Sequence, residues 1–135
     1  MVITMMKYSK GFSLIELMMV VAIMGILTTV AIGWYGNNVI AANRSEGRST
    51  LTATAGSLEK CKSLFGAYDA ANCTVGNTVM SESNLYSIDT TTRTPTTFTL
   101  TATPLGRQVA DNDCTSMTLT NTGIKGGAPA ANECW

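Results

Sequence analysis

The chain has 135 residues, with nine basic and nine acidic side chains, so its formal net charge at pH 7 is zero. This length fits one folded domain with a short additional segment, and the balanced charge gives no general attraction to nucleic acid. The absence of histidine from the sequence removes the commonest acid–base catalyst and metal ligand from the available chemistry.

The N-terminal part of the chain contains an apolar stretch from Phe12 to Ile32. A helix of this length, rising about 1.5 Å per residue, is long enough to cross the apolar core of a bilayer. Lys7 and Lys10 precede the stretch, so the positive-inside rule predicts that residues 1–11 stay in the cytoplasm while the rest is exported. An ordinary secretory signal would have a shorter apolar core and then a small-residue cleavage site, which this stretch lacks.

One carboxylate interrupts the apolar stretch, because Glu16 is the only charged residue between Phe12 and Asn43. An unpaired charge inside a membrane costs about 3 kcal/mol or more. A plain membrane anchor or an uncleaved signal would give no reason to keep such a residue. We therefore expect Glu16 to have a partner.

The stretch KGFSLIELMMVVAIMGILTTVAI, residues 10–32, resembles the N-terminal signature of type IV pilins and related pseudopilins. In that family a short basic leader ends in glycine, a prepilin peptidase cuts after this glycine, and the new N-terminal residue is methylated. The resemblance implies that residues 1–11 are a cleaved leader. It also implies cleavage between Gly11 and Phe12, followed by N-methylation of Phe12.

The same resemblance implies a role for Glu16. Cleavage would leave a cationic amine on Phe12 at a helix N-terminus, where the helix macrodipole disfavours positive charge. Glu16 lies about one helical turn further on and can offset this charge, either within one subunit or between neighbours. In the family the corresponding glutamate is held to pair with the terminal amine of an adjacent subunit, so we expect Glu16 to be an assembly contact.

The helical pattern continues beyond the apolar stretch, and one long helix is predicted over roughly residues 12–63. Similar pilins commonly have proline where Gly33 stands, so a bend at this position is left open. The face that packs on the rest of the chain is indicated by apolar residues at helical spacing: Ile40, Leu51, Ala55, Leu58, Cys61 and Phe65. The charged residues Arg44, Glu46 and Arg48 are interpreted as a solvated face.

The C-terminal part of the chain shows strand patterns after a predicted loop over residues 64–84. Three strands are predicted, at Leu85–Asp89, Thr97–Thr103 and Met117–Thr120. Phe98, Leu100 and Ala102 would face the helix while the intervening threonines face solvent. The predicted fold class is therefore α+β, with the long N-terminal helix packed on a small antiparallel sheet within residues 64–135. This is the type IV pilin fold that the resemblance implies.

Four cysteines lie outside the apolar stretch, and they form no CxxC pair: Cys61, Cys73, Cys114 and Cys134. Their spacing and the lack of histidine argue against a zinc site. Two disulfides are therefore expected, which indicates an oxidising compartment. Three pairings are possible. Pairing in sequence order, Cys61–Cys73 and Cys114–Cys134, closes the shortest loops and is preferred, and its second bond would hold the tail 114–134, which has little apolar surface.

The end of the chain reads TLTATP, then a cysteine, a Thr-Leu strand, GIKG and a final CW, and this pattern resembles PilE-like minor type IV pilins. The resemblance implies a structural subunit, a minor pilin of a type IV pilus, that supports pilus biogenesis, twitching motility and adhesion. Its partners would be other pilin subunits, packed helix on helix, and the prepilin peptidase. It would pass from the bacterial inner membrane, with a periplasmic C-terminal domain, to the cell-surface pilus. A type II secretion pseudopilin is the alternative, although pseudopilins usually lack such a C-terminal disulfide loop.

The sequence contains no catalytic constellation, since its serines have no histidine base, and neither an enzyme nor a cofactor is expected. Asp111 and Asp113 could contact a calcium ion, but a solvated turn is the favoured interpretation. A DNA-binding pilin for natural transformation is a further alternative. It would need a basic strip, and the predicted sheet region offers only Arg93, Arg107 and Lys125, so nucleic acid is not the favoured partner.

Overall fold

The computed structural model describes residues 11–30, 35–36 and 38–135, and only the backbone of residues 31–34 and 37. Of the expected leader, residues 1–11, only Gly11 lies within the described residues. Helix α1 (Leu14–Phe65) runs through Gly33, the position considered for a bend. The chain divides into two compact units, Met1–Asn37 and Asn38–Trp135.

The secondary structure consists of α1 (Leu14–Phe65), β1 (Thr78–Met80), β2 (Tyr86–Asp89), β3 (Thr99–Pro104), a 3₁₀-helix (Gly106–Ala110), β4 (Cys114–Thr120), β5 (Lys125–Pro129) and α2 (Ala131–Cys134). The five strands form one antiparallel sheet in the order β1-β2-β3-β4-β5. The predicted α+β class and antiparallel sheet are therefore confirmed.

The first unit exposes an almost continuous set of large apolar side chains, from Phe12 to Val30. The helix begins with a backbone hydrogen bond from Leu17 to the carbonyl of Ser13. The hydroxyls of Thr28 and Thr29 donate to carbonyls of the preceding turn, so these polar groups are satisfied within the helix itself. Within the described residues, no helix is both long enough and apolar enough to span a membrane.

The second unit has its core between the later turns of α1 and the sheet. Leu51 and Leu58 are fully buried, and they are seven residues apart, which places them on one helix face. The predicted strand face is also confirmed, because Phe98, Leu100 and Ala102 are buried.

The predicted helix face is wrong at its end, because Phe65 is 46% exposed. The helix stops at this residue and is followed by Gly66 at a positive φ of 82°, a conformation that ends many helices. The ring of Tyr68 takes the place next to the core and meets Phe98 edge-on, with 4.8 Å between the ring centres.

Two strands were not predicted from the sequence. The first, β1, has three residues inside the expected loop and pairs Val79 with Ile88 of β2. The second, β5, reads KGGAP, a composition depleted in strands. It is an edge strand, where a proline is tolerated, and its Gly127 leaves room for Cys134, whose Sγ would lie 2.7 Å from a Cβ at this position.

Helix α1 comes close to the sheet at Gly47, which is buried. A Cβ at this position would press on Cε of Met117 and would lie 3.1 Å from the ring of Tyr86. On the same helix, the exposed Gly56 faces open space.

We predict that Gly47→Ala destabilises the protein although alanine is the better helix former. Cε of Met117 can turn aside, but the ring of the fully buried Tyr86 cannot. Overpacking against this ring costs up to about 3 kcal/mol, against a gain of about 1 kcal/mol in helix propensity. Gly56→Ala, the matched control, should stabilise the protein or leave it unchanged. Urea unfolding of the full chain in detergent measures both. Equal effects of the two substitutions would contradict the close approach at Gly47.

Candidate functional sites

The predicted processing and assembly residues lie together at the start of α1. Gly11, Phe12, Ser13 and Glu16 line one open recess of about 310 Å³. Phe12 is 83% exposed, and Glu16 occupies the first turn of the helix. A carboxylate in a first helical turn is favoured by the macrodipole. The recess therefore brings the expected cleavage position and the single carboxylate of the apolar stretch to one accessible place.

The charged side chain Arg44 is not on a solvated face, and this prediction is wrong. Its Nε and Nη2 donate to the two carboxylate oxygens of Asp111 at 2.7 and 2.6 Å, and the two side chains are only 11% and 1% exposed. The interpretation of Asp111 as part of a solvated turn is wrong for the same reason. Asp113 fits that interpretation better, because its side chain is 77% exposed. Its contact with Arg44 is a longer hydrogen bond of 3.4 Å from Nη2.

Gln108 completes the surroundings of this ion pair. Its side-chain nitrogen donates to the Ile40 carbonyl at 2.8 Å and to Asp111 at 3.2 Å, and its oxygen accepts from Asn43. Burial by itself would raise the pKa of Asp111, but the hydrogen bonds and positive charge of Arg44 outweigh it and hold this pKa below its usual value. Asp111 is thus ionised and paired inside the protein.

A second arginine lies one turn further along α1. Arg48 is half-buried, and in the described part of the chain it makes no ion pair. Its Nε and the hydroxyl of the fully buried Tyr86 have no hydrogen-bond partner there. Burial raises the pKa of Tyr86, so this phenol stays protonated at neutral pH.

The four cysteines form two disulfides, Cys61–Cys73 and Cys114–Cys134, which are the pairs preferred from the sequence. The first joins the end of α1 to the loop that follows it, and the second joins β4 to α2. Among the described residues, no three His, Cys, Asp or Glu side chains are grouped so that they could hold a metal ion. Both carboxylate oxygens of Asp111, considered above for calcium, bind Arg44 instead.

The basic residues considered for DNA do not form one strip. The strand register places the β2–β3 connection, with Arg93, at the same end of the sheet as Lys125, which pairs with Leu119. The β3–β4 connection, with Arg107, lies at the opposite end. The chain after α1 reaches the first end, where the backbone of Tyr68 bonds to Pro95.

Two basic residues at this end were missed in the sequence. Lys60 and Lys62 belong to the last turns of α1, and no local motif marks them. Lys62 lies over the ring of Tyr68, with Nζ 4.4 Å from the ring centre. Together with Arg93 and Lys125 they form what we call the basic end: Lys60, Lys62, Arg93 and Lys125. The strand topology and the bond from Tyr68 to Pro95 place all four at the same end of the sheet.

Comparisons with known proteins agree with this architecture. A family model described as "Type IV minor pilin ComP, DNA uptake sequence receptor" matches residues 34–118. A second model, described as a prokaryotic N-terminal methylation motif, matches residues 6–32. The type IV major fimbrial protein FimA of Dichelobacter nodosus is 38% identical over 93 residues, which cover 69% of this chain and 56% of FimA.

Two solved structures have a similar fold. The minor pilin PilV of Neisseria meningitidis matches with a TM-score of 0.54 and 20% identity over 67% of this chain and 88% of PilV. A type IV pilin from Shewanella oneidensis matches with a TM-score of 0.50 and 29% identity, covering 71% of this chain and 97% of that pilin. The long helix and antiparallel sheet are therefore those of a type IV pilin.

Because the first family model covers more than half of the chain, the chain belongs to the type IV pilin family, in the group of the minor pilin ComP. The chain spans about half the length of the curated relatives it matches.

We predict that Asp111→Asn destabilises the protein by about 3 kcal/mol, because it leaves the buried Arg44 without its counter-charge. The control Asp113→Asn removes an exposed carboxylate and should cost less than about 1 kcal/mol. Urea unfolding of the full chain at pH 7 measures both. Similar effects of the two substitutions would show that the Arg44–Asp111 pair matters no more to the free energy of unfolding than an exposed carboxylate does.

The sign of the accompanying pH dependence follows from the lowered pKa of Asp111. The stabilisation is complete above the unfolded-state pKa of about 3.9 and is lost as the pH falls towards the lower folded-state pKa. Asp111→Asn should therefore remove part of the acid destabilisation of the unaltered protein.

Proposed function

We propose that this protein is a structural subunit, a minor pilin, that assembles into a type IV pilus through its N-terminal helix. The observation that carries the proposal is the set of exposed apolar side chains from Phe12 to Val30 directly after a methylation motif. Apolar surface removed from water contributes about 25 cal/mol per Å². Such a surface needs lipid or neighbouring helices around it, and a pilin meets the first before assembly and the second afterwards.

Processing by a prepilin peptidase would prepare the assembly segment. Cleavage between Gly11 and Phe12 and N-methylation of Phe12 would leave a cationic terminus beside an exposed carboxylate. In apolar surroundings the attraction between opposite charges is much stronger than in water, and an unpaired Glu16 is costly. Pairing of Glu16 with the terminal amine of a neighbouring subunit would therefore favour association.

The expected route runs from the inner membrane, with residues 38–135 in the periplasm, to the cell-surface pilus. The two disulfides fit an oxidising compartment. Other pilins would be the partners in the filament, through which the protein would contribute to pilus biogenesis, twitching motility and adhesion. A type II secretion pseudopilin is less favoured, because the C-terminal tail is bound by a disulfide.

We predict that Glu16→Ala leaves membrane levels and cleavage unchanged but lowers recovery of this protein in sheared filaments about tenfold or more. A tenfold loss corresponds to about 1.4 kcal/mol of association free energy. Glu16→Gln should fail in the same way, because it keeps the shape and removes the charge. Ser13→Ala, in the same recess, should assemble normally. Quantitative mass spectrometry of sheared filaments measures recovery, and intact mass shows whether the mature chain begins at Phe12. Normal incorporation of Glu16→Ala would exclude the charge-pairing role.

A second function, binding of double-stranded DNA, is favoured by two observations. The matching family model is described as a DNA uptake sequence receptor, and four basic residues share the basic end of the sheet. Lysine and arginine bind DNA phosphates by releasing counterions, which makes affinity strongly dependent on salt. Three exposed acidic residues, Glu59, Asp69 and Asp89, lie at the same end, so binding there depends on the basic side chains outweighing them locally.

We predict that replacing Lys60, Arg93 and Lys125 together by glutamine weakens binding of duplex DNA about tenfold or more at low salt. The slope of log affinity against log salt should fall by about 0.9 for each phosphate that the variant no longer binds. Arg107→Gln, at the opposite end of the sheet, is the control and should bind normally. Fluorescence anisotropy with the full chain in detergent measures both. If the triple variant binds like the unaltered protein, the basic end is not a DNA site, whereas filament recovery tests the pilus function separately.

A further inference from the structure

The Arg44–Asp111 ion pair is bonded to both ends of the Cys114–Cys134 disulfide. The carboxylate of Asp111 accepts the backbone N–H of Cys114 at 3.2 Å. On the other side, Nη1 of Arg44 donates to the carbonyl of Glu133 at 2.7 Å, and Glu133 directly precedes Cys134. Hydrogen bonds, one ion pair and one covalent bond therefore form a closed ring through α1, β4 and α2.

The disulfide fixes the position of the Glu133 carbonyl on α2, which accepts a hydrogen bond from Arg44. This helix has only four residues, Ala131–Cys134, and so short a helix is not stable by itself. Both cysteines are fully buried. Beyond them, the tail meets the sheet through Trp135, whose indole donates to the Gly126 carbonyl at 2.7 Å and whose ring lies under Lys125. The place of the Glu133 carbonyl thus depends on the covalent bond one residue away.

We propose that the Cys114–Cys134 disulfide is a redox latch that docks the 38–50 part of α1 on the sheet through Arg44. When the bond forms, the two thiols lose two protons and two electrons, and the electrons reduce the disulfide of an oxidising partner to a dithiol. The formed bond places the Glu133 carbonyl and the Cys114 N–H, and these complete the contacts of Arg44 and Asp111. Reduction by a dithiol reverses each step and loosens this part of α1.

In this proposal the two disulfides have different structural roles. Cys61–Cys73 lies at the end of α1, at the opposite end of the sheet from Arg44, and has no bond to the ring described above. Loss of Cys61–Cys73 should loosen the end of α1 and the following loop, and loss of Cys114–Cys134 should loosen residues 38–50. The inference depends on neither filament assembly nor DNA binding.

The first test uses the reciprocity of coupling. If the disulfide stabilises the contacts of Arg44, then Arg44 must stabilise the disulfide by the same factor. Arg44→Gln should therefore make Cys114–Cys134 easier to reduce, raising its equilibrium constant for reduction by dithiothreitol about tenfold. Arg48→Gln is the matched control, because it changes the same residue type one turn away without breaking an ion pair. Its effect should stay within about twofold.

Trapping of the thiols and peptide mapping of the full chain in detergent report each disulfide separately, so the reduction of Cys61–Cys73 serves as an internal reference. It should be unchanged in both arginine variants. Equal ease of reduction of Cys114–Cys134 in Arg44→Gln, Arg48→Gln and the unaltered chain would overturn the proposal.

A second measurement follows the helix itself by hydrogen–deuterium exchange. Replacing Cys114 and Cys134 by serine should speed exchange at residues 38–50 about tenfold more than at residues 51–62, since opening would be local and not global. In an Arg44→Gln background the same replacement should add less than about twofold, because the coupled ion pair is already absent. Uniform acceleration along α1, or additive effects, would contradict the latch. If the serine variant does not fold, the reduction experiment alone decides.

Discussion

The ion pair between Arg44 and Asp111 is the contact on which the geometry of the second unit depends. Two buried charges each cost several kcal/mol to remove from water, and only a close and fully hydrogen-bonded arrangement compensates this cost. Here two short hydrogen bonds join the guanidinium to the carboxylate, and Gln108 binds the same carboxylate. Since each residue turns a helix by about 100°, sliding α1 by one residue would break the pair. The pair therefore specifies the rotation of α1 more than it adds net stability.

The rest of the helix face follows from this rotation. The buried positions of α1 recur at alternating steps of three and four residues after Arg44, at Gly47, Leu51, Thr54, Leu58 and Cys61. The contact that orients Arg44 also directs Leu51 and Leu58 into the core, because residues seven apart share one face. Gly47 lets the helix come close enough to Tyr86 for these side chains to reach the sheet. Charge, close approach and apolar packing thus require the same orientation.

Local and contiguous patterns were sufficient to predict the long helix, the processing motif, the central strands and the fold class. The charge of Arg44 predicts a solvated position, but the residue lies on the same three-and-four spacing as the buried Leu51 and Leu58. Asp111 is 67 residues away in sequence, and no local pattern joins the two. The strand β5 forms by pairing with β4 in spite of its glycines and proline, and the basic end exists only because strand topology brings Arg93, Lys125 and the end of α1 together.

The C-terminal tail connects the two ends of the second unit. At one end the Glu133 carbonyl accepts a hydrogen bond from Arg44, and the Cys114–Cys134 disulfide fixes the tail to β4. Towards the other end, the indole of Trp135 bonds to Gly126 and lies beneath Lys125, whose Nζ is 4.9 Å from the ring centre. A cation over an aromatic face gains about 0.5–1 kcal/mol at an exposed site, enough to favour one position of a flexible lysine. The tail whose disulfide fixes α1 therefore also orients one of the four side chains of the basic end, so displacement of the tail would affect helix docking and the charged surface together.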